Sequence, residues 1–281
     1  MGKVPRWIRW LAWTGVSLAC LGGLAYGGVY LAVERELVVP PMLSAAPVRL
    51  PAGDVAEGER LARVLGCRGC HGADLGGRVF FEAPRVVRLV APNLTQVRER
   101  YSDEKFLRLM RSGAKADGRL ALVMPSRAFQ RLRDDQLAHV LAYLRAAPAV
   151  ARDLPPSQIQ LMARIGMLTG KYDLESFRAD KPESAGVLAD RHEADVGRHL
   201  ALVACSECHG IDLGGFPEEG TPGFVAAKAY DDAEFARLMR EGITKAGGES
   251  ASGMMSAAAR DRFAALTDQE IEALKAFLDR R

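Results

Sequence analysis

CRGCHGADLGG, residues 67–77, returns almost unchanged as CSECHGIDLGG at residues 205–215. The two strings share both cysteines, the histidine and the Gly-x-Asp-Leu-Gly-Gly frame. Packing alone does not require Cys-x-x-Cys-His, so the repetition indicates a chemical role that the chain performs twice.

Two thiols three residues apart can each form a thioether to the vinyl groups along one side of a haem, and the adjacent histidine can then bind the iron. The strings therefore predict two covalently bound haems c, attached through Cys67, Cys70, Cys205 and Cys208, with His71 and His209 as axial ligands. A zinc site would place two such pairs close together in one fold, but each repeat holds one pair. A thioredoxin-like redox pair would need a βαβ context, which the sequence lacks.

The positions of the cysteines indicate that they serve the two strings. Of the five cysteines in 281 residues, four lie in the two strings, and Cys20 lies in an apolar run. A disulfide framework would scatter cysteines through loops. The net charge of +3 is small and dispersed, which argues against a nucleic-acid partner.

The repetition extends well beyond the two strings and indicates a duplicated domain. Tyr101–Gly113 matches Tyr230–Gly242 without a gap, and Leu132–Leu144 matches Leu266–Leu278. Each copy is expected to be helical. Ser102 and Asp231 are expected to begin the middle helices, and the last helix of copy two begins with a Thr267–Glu270 capping box. Neither copy shows an alternating strand pattern of useful length.

Both copies resemble class I cytochrome c domains, and the whole chain resembles the membrane-anchored dihaem cytochromes c of bacteria. The resemblance covers roughly residues 51–150 and 190–281. It implies an all-α fold in which the first and last helices of each domain cross near the haem. Gly58 would then lie against Tyr143, and Gly197 against Phe277.

The resemblance also implies that a methionine before the last helix is the sixth ligand of each iron. Met124, followed by proline, fits this place in copy one. Copy two offers Met255, with Met254 as the alternative and no following proline. Pro92 and Pro222 lie at matching places before the middle helices. The resemblance implies that their backbone carbonyls fix the ring orientation of His71 and His209.

The other histidines are less favoured as site residues. His139, His192 and His199 are predicted to lie at the surface. His199, a few residues before the second string, is a minor alternative ligand for haem two.

The N-terminus predicts a membrane anchor, because Trp10–Val33 is 24 residues without a charge. As a helix it would span about 36 Å, enough to cross a bilayer core of about 30 Å. Lys3, Arg6 and Arg9 precede it, so its N-terminus is expected in the cytoplasm. A cleaved signal peptide and lipidation of Cys20 are the alternatives. Small residues every four positions, from Gly15 to Gly27, favour pairing with a partner helix, although glycine is common in membrane helices.

The sequence therefore predicts four parts: residues 1–40 as anchor and tether, 51–150 as domain one, 151–190 as a linker with a short helix, and 191–281 as domain two. The expected function is electron transfer at the periplasmic face of a bacterial inner membrane. Expected partners are a dehydrogenase, a quinol-oxidising complex, an oxidase or a soluble cytochrome. A dihaem peroxidase or thiosulfate-oxidising enzyme is the alternative, and would need an open or displaceable sixth site. A haem-based sensor is a third class, but no output domain is visible.

Overall fold

The structure is a computed structural model that describes residues 5–39, 49–172, 179 and 185–281, without the side chains of residues 98 and 219. The described chain is predominantly helical, which confirms the predicted all-α class. The tether expected at Pro40-Pro41 lies outside the described residues.

The N-terminal helix α1, Arg6–Glu36, is long and apolar enough to cross a membrane, and most of its side chains are exposed. Its last turns pack on the body of the protein, where Val33 and Leu37 are buried. Glu34 pairs with Arg119 and with Arg164, and the Arg164 guanidinium stacks 3.9 Å from the ring centre of Tyr30. Domain one therefore sits directly on the end of this helix.

Side-chain caps mark the start of two helices in domain one. Asp54 caps the helix that begins at Val55. Ser102 caps the helix that begins at Asp103, and Gly113 ends that helix in the left-handed conformation. The helices of this domain are α2 (Val55–Val64), α3 (Cys67–His71), α4 (Val97–Arg100), α5 (Asp103–Ser112), α6 (Ser126–Phe129) and α7 (Asp134–Ala146). A 3₁₀ turn at Leu94–Gln96 precedes α4.

Domain one contains a small sheet that no alternating pattern in its sequence indicates. Strands β1 (Arg78–Ala83) and β2 (Val87–Ala91) form an antiparallel hairpin, and β3 (Gln158–Ile159) extends it. A register shift between Val79 and Phe81 breaks the alternation of buried and exposed residues, which hides the strand in the sequence. The short helix of the linker, which the sequence places at Ser157–Leu168, is α8 (Leu161–Leu168). It begins later because Gln158-Ile159 pairs with β2.

Domain two repeats this plan without the hairpin. The Thr267–Glu270 capping box is present, as is the predicted cap at Asp231. The remaining helices are α9 (Ala185–Arg191), α10 (Val196–Leu200), α11 (Ser206–His209), α12 (Asp232–Glu241), α13 (Met254–Asp261) and α14 (Asp268–Asp279). A π-helical turn at Ala201–Cys205 joins α10 to α11, and 3₁₀ turns lie at Pro217–Glu219, Phe224–Ala229 and Phe263–Ala265.

Glycine allows the first and last helices of each domain to cross in close contact. A Cβ added at Gly58 would lie 1.9 Å from the carbonyl oxygen of His139 and 2.8 Å from Cβ of Tyr143. A Cβ at Gly197 would lie 2.0 Å from the carbonyl oxygen of Ala273 and 2.8 Å from Cβ of Phe277. The crossings that the resemblance implied are therefore present in both copies.

The two domains share one interface, and it buries a histidine that was expected at the surface. His199 is 2% exposed, and its Nε2 lies 2.9 Å from Oε1 of Gln136 in domain one. Next to it, Asp190 binds Arg131 at 2.8 Å and Arg198 at 3.0 Å. The surface assignment of His199 is wrong because a sequence pattern cannot show which face of a helix meets a second domain.

Because His199 is buried, we expect the stability of the fold to depend on pH. Burial lowers the pKa of His199 to about 4, against an ordinary value of about 6.5. Between these values the unfolded chain binds a proton that the folded chain does not, so acidification destabilises the fold until the pH passes the lower pKa. The unsubstituted protein should therefore be less stable at pH 5 than at pH 7. In His199→Gln we expect this loss of stability to be smaller by roughly 2 kcal/mol. Denaturant unfolding at both pH values measures this, with the exposed His192→Gln as control; equal pH dependence in both variants would contradict it.

Candidate functional sites

In domain one, the short helix α3 holds Cys67, Cys70 and His71 on a single turn. Nδ1 of His71 lies 2.8 Å from the carbonyl oxygen of Pro92. Burial lowers the pKa of His71, so the ring is neutral at pH 7. A neutral ring that donates its Nδ1 proton to Pro92 keeps a free lone pair on Nε2, as an iron ligand must.

Domain two places the same groups in the same relation. Nδ1 of His209 lies 2.9 Å from the carbonyl oxygen of Pro222, and burial again lowers the pKa of the histidine. The ring of Phe224 packs against His209 with centroids 4.7 Å apart. Phe224 was not identified from the sequence. Its position two residues after Pro222, where domain one has Leu94, is the feature that could have indicated it.

The repeated Asp-Leu-Gly-Gly frame explains how proline reaches histidine. In domain one, Oδ1 of Asp74 accepts a hydrogen bond from the amide of Gly76, and Leu75 is buried in a left-handed conformation. The amide of Gly77 then donates to the carbonyl of His71. A Cβ at Gly77 would lie 2.6 Å from the carbonyl oxygen of Ala91, so only glycine lets the segment that carries Pro92 approach.

The same turn recurs in domain two, where sequence reasoning had likewise assigned it no role. The amide of Gly215 donates to the carbonyl of His209, and Asp212 accepts from the amide of Gly214. A Cβ at Gly215 would lie 2.5 Å from the carbonyl carbon of Pro222. The frame is therefore a positioning device for the histidine–proline pair.

Both candidate methionine ligands lie on the edge of the core. Met124 is half-buried in the turn before α6, directly after Val123 in a left-handed conformation. Met255 is also half-buried against the core, whereas Met254 is 62% exposed. Both Met254 and Met255 line the cavity of domain two, and the greater burial of Met255 favours it as the inward-facing residue.

Domain two contains a cavity of about 620 Å³ between these groups. Its lining is mainly apolar and aromatic, with Phe224, Tyr230, Phe235, Leu238, Met239 and Leu274 among the wall residues. Cys205, Cys208 and His209 open onto it. An apolar cavity of this size, with a few polar groups at one end, suits a large flat cofactor.

Burial raises the pKa of all four thiols in the two strings. Burial raises the pKa of Cys67 to about 11 and that of Cys205 to about 12, and the nearby Arg262 charge only partly opposes this. Burial also raises the pKa of Cys70 and Cys208. The thiols therefore stay protonated at neutral pH and lack the lowered pKa of a reactive cysteine pair.

Comparison with protein families agrees with this geometry. The cytochrome c family model matches residues 55–148 and again 194–280, together more than half of the chain. The chain belongs to the cytochrome c family. Its two cytochrome c domains imply two covalently bound haems c and a role in haem electron transfer. No curated protein matches the chain significantly.

The residues present fit a haem in each cytochrome c domain. Paired thiols, an imidazole with a free Nε2, and a half-buried methionine occur in both, and the apolar cavity of domain two adds the required space. His199 takes no part in that cavity's lining, and its Nε2 is already bonded to Gln136.

Proposed function

We propose that the chain is a membrane-tethered periplasmic dihaem cytochrome c that transfers electrons between redox partners of a respiratory or dehydrogenase chain. The observation that carries the proposal is that each domain has both an oriented histidine and a half-buried methionine. With His71 and Met124 bound to one iron, and His209 and Met255 to the other, neither iron keeps a position for a substrate. That arrangement favours electron transfer over a peroxidase or a thiosulfate-oxidising enzyme.

Each group has a distinct part in this proposal. Bound haem supplies the one-electron chemistry, between the ferric and ferrous states of iron. The cysteines fix the haem edge, and the Pro92 and Pro222 carbonyls hold the proton on Nδ1 of each histidine. Methionine–histidine ligation raises the reduction potential, and the apolar walls exclude water from the site. Partners of the expected kind are a dehydrogenase, a quinol-oxidising complex, an oxidase or a soluble cytochrome.

The ligand assignment in domain two yields a direct test. We expect Met255→Ala to abolish the near-infrared sulfur-to-iron band of one of two haems, halving its total intensity, and to open that haem to carbon monoxide. Met254→Ala, at the exposed neighbouring position, should leave both properties unchanged. Absorption and magnetic circular dichroism of the full-length protein measure the band. If Met254→Ala, and not Met255→Ala, changed these two properties, Met254 would be the ligand. Carbon monoxide binding to the unsubstituted protein would favour the enzymatic alternative.

The membrane part of the proposal rests on α1. Trp7, Trp10 and Trp13 lie near one end and Tyr26 and Tyr30 near the other, as in the aromatic belts of membrane helices. The contacts of Glu34 with Arg119 of domain one and Arg164 of the linker helix hold α1 against the rest of the protein, which supports its retention in the mature protein.

Membrane attachment can be tested on cell fractions. Alkaline carbonate should leave the full-length protein in the membrane, and protease added to spheroplasts should digest the haem domains. Release by carbonate, or a mature N-terminus beyond α1, would refute the anchor. Pairing with a partner helix would appear as a larger complex in mild detergent, and a clean monomer would count against it.

A further inference from the structure

The side chain of Arg262 donates hydrogen bonds to the backbone just before each of the two Cys-x-x-Cys-His strings. Its Nε donates to the carbonyl of Val64, three residues before Cys67, at 3.0 Å. Its Nη2 donates to the carbonyl of Ala204, directly before Cys205, at 3.1 Å. One guanidinium therefore bonds to the last turn before each haem-attachment segment.

The third contact of this guanidinium is an ion pair inside the second string. Nη1 of Arg262 lies 3.0 Å from Oε2 of Glu207, which stands between Cys205 and Cys208. The Arg262 side chain is only 15% exposed, so water screens its charge weakly. Its charge lowers the pKa of Cys67 and Cys205, although burial has the larger, opposite effect on both thiols.

The space for Arg262 comes from domain one. A Cβ at Gly66 would lie 2.9 Å from Nε of Arg262, so the absence of a side chain there lets the guanidinium lie against the first string. On its other side, the guanidinium packs 5.3 Å from the ring centre of Phe263. The site is thus formed by both domains.

Arg262 has no counterpart in the first copy. Aligning Leu132 with Leu266 places Phe129 with Phe263 and Ala128 with Arg262. Ala128 is buried and uncharged. The first copy thus folds without this arginine, and in the second copy Arg262 joins its own domain, at Ala204 and Glu207, to Val64 of domain one.

We propose that Arg262 is a positioning residue that links the two haem sites electrostatically, holding both attachment segments at one interface and favouring the reduced state of both irons. The inference rests on the haem occupancy of the proposed function. When a redox partner donates one electron, it is oxidised by one equivalent and the receiving iron changes from ferric to ferrous. The site loses one positive charge, so a nearby cation favours the change and a nearby anion opposes it.

The test uses redox titration of the full-length protein in detergent, with both haems followed spectroscopically. Arg262→Met should lower both midpoint potentials, and Arg262→Lys should restore part of each shift. Glu207→Gln should raise the potential of the second haem more than that of the first, because it neutralises an anion within the second string. A purely structural role would not produce opposite signs from the two partners of one ion pair.

Arg260→Met is the matched control. It removes the same charge from the end of α13, where Arg260 pairs with Glu249 at 2.9 Å and is 45% exposed. This variant should leave both potentials close to those of the unsubstituted protein. Unchanged potentials in Arg262→Met, a shift confined to one haem, or equal shifts in the two arginine variants would overturn the inference. Two measurements on the unsubstituted protein separate these outcomes from a failure of the proposed function: fewer than two haems by mass spectrometry, or carbon monoxide binding to a reduced haem, would count against that function and not against Arg262.

Discussion

Gly197→Ala is expected to destabilise domain two severely, although it adds a single methyl group. The new Cβ would lie 2.0 Å from the carbonyl oxygen of Ala273, a backbone atom that cannot rotate away. Helices α10 and α14 would have to separate, and both contribute buried residues to the core. We expect the free energy of unfolding to fall by about 3 kcal/mol or more, at the upper end for overpacking.

Denaturant unfolding of the haem-loaded protein measures this effect, and Gly186→Ala is its matched control. Gly186 lies in α9, and a Cβ there would meet nothing within 4 Å. Replacing a helical glycine by alanine in open space should stabilise the helix slightly. If both variants unfolded at the same denaturant concentration, the helix crossing would not be the tight contact that the structure shows.

Replacing Cys205 and Cys208 together by alanine is expected to halve the covalent haem content. Each thioether requires its own sulfur, and no other described cysteine lines the cavity of domain two. Without a tethered haem, the apolar cavity of about 620 Å³ would lose its main packing partner. We expect the purified protein to carry one haem by intact mass, and domain two to unfold at lower denaturant than domain one.

The reciprocal variant and a third cysteine provide the controls. Replacing Cys67 and Cys70 by alanine should also leave one haem, now in domain two. Cys20→Ser should leave two haems, because Cys20 lies in α1, away from both strings. Two covalent haems in the Cys205/Cys208 double variant would refute the attachment assignment.

Several features of the fold were predictable from short stretches of sequence or from the repeat. Ser102, Gly113 and the Thr267–Glu270 pair mark helix ends through local hydrogen bonding, and the structure has those ends where the sequence predicts them. Gly58 and Gly197 occur at equal places before the two strings, and both lie at helix crossings. These features were predictable because their physical causes lie within a few residues or are repeated between the copies.

Other features escaped sequence reasoning because their causes are distant along the chain. The hairpin of Arg78–Ala83 is irregular in register and is completed by Gln158-Ile159. His199 is buried against Gln136 of the other domain, and Arg131 pairs with Asp190 of α9. No local pattern distinguishes these polar side chains from those that face water.

The sequence by itself was enough to predict the all-α class and two cytochrome c domains, and to propose the cysteines that would attach a haem in each and the histidines that would bind its iron. Those conclusions depend on covalent chemistry and short spacings, which are properties of neighbouring residues. Only the tertiary structure decided which domain surfaces meet, and therefore that Arg262 lies between the two attachment segments. An electrostatic interaction depends on distance in space, and the residues it joins here are almost 200 positions apart in the chain.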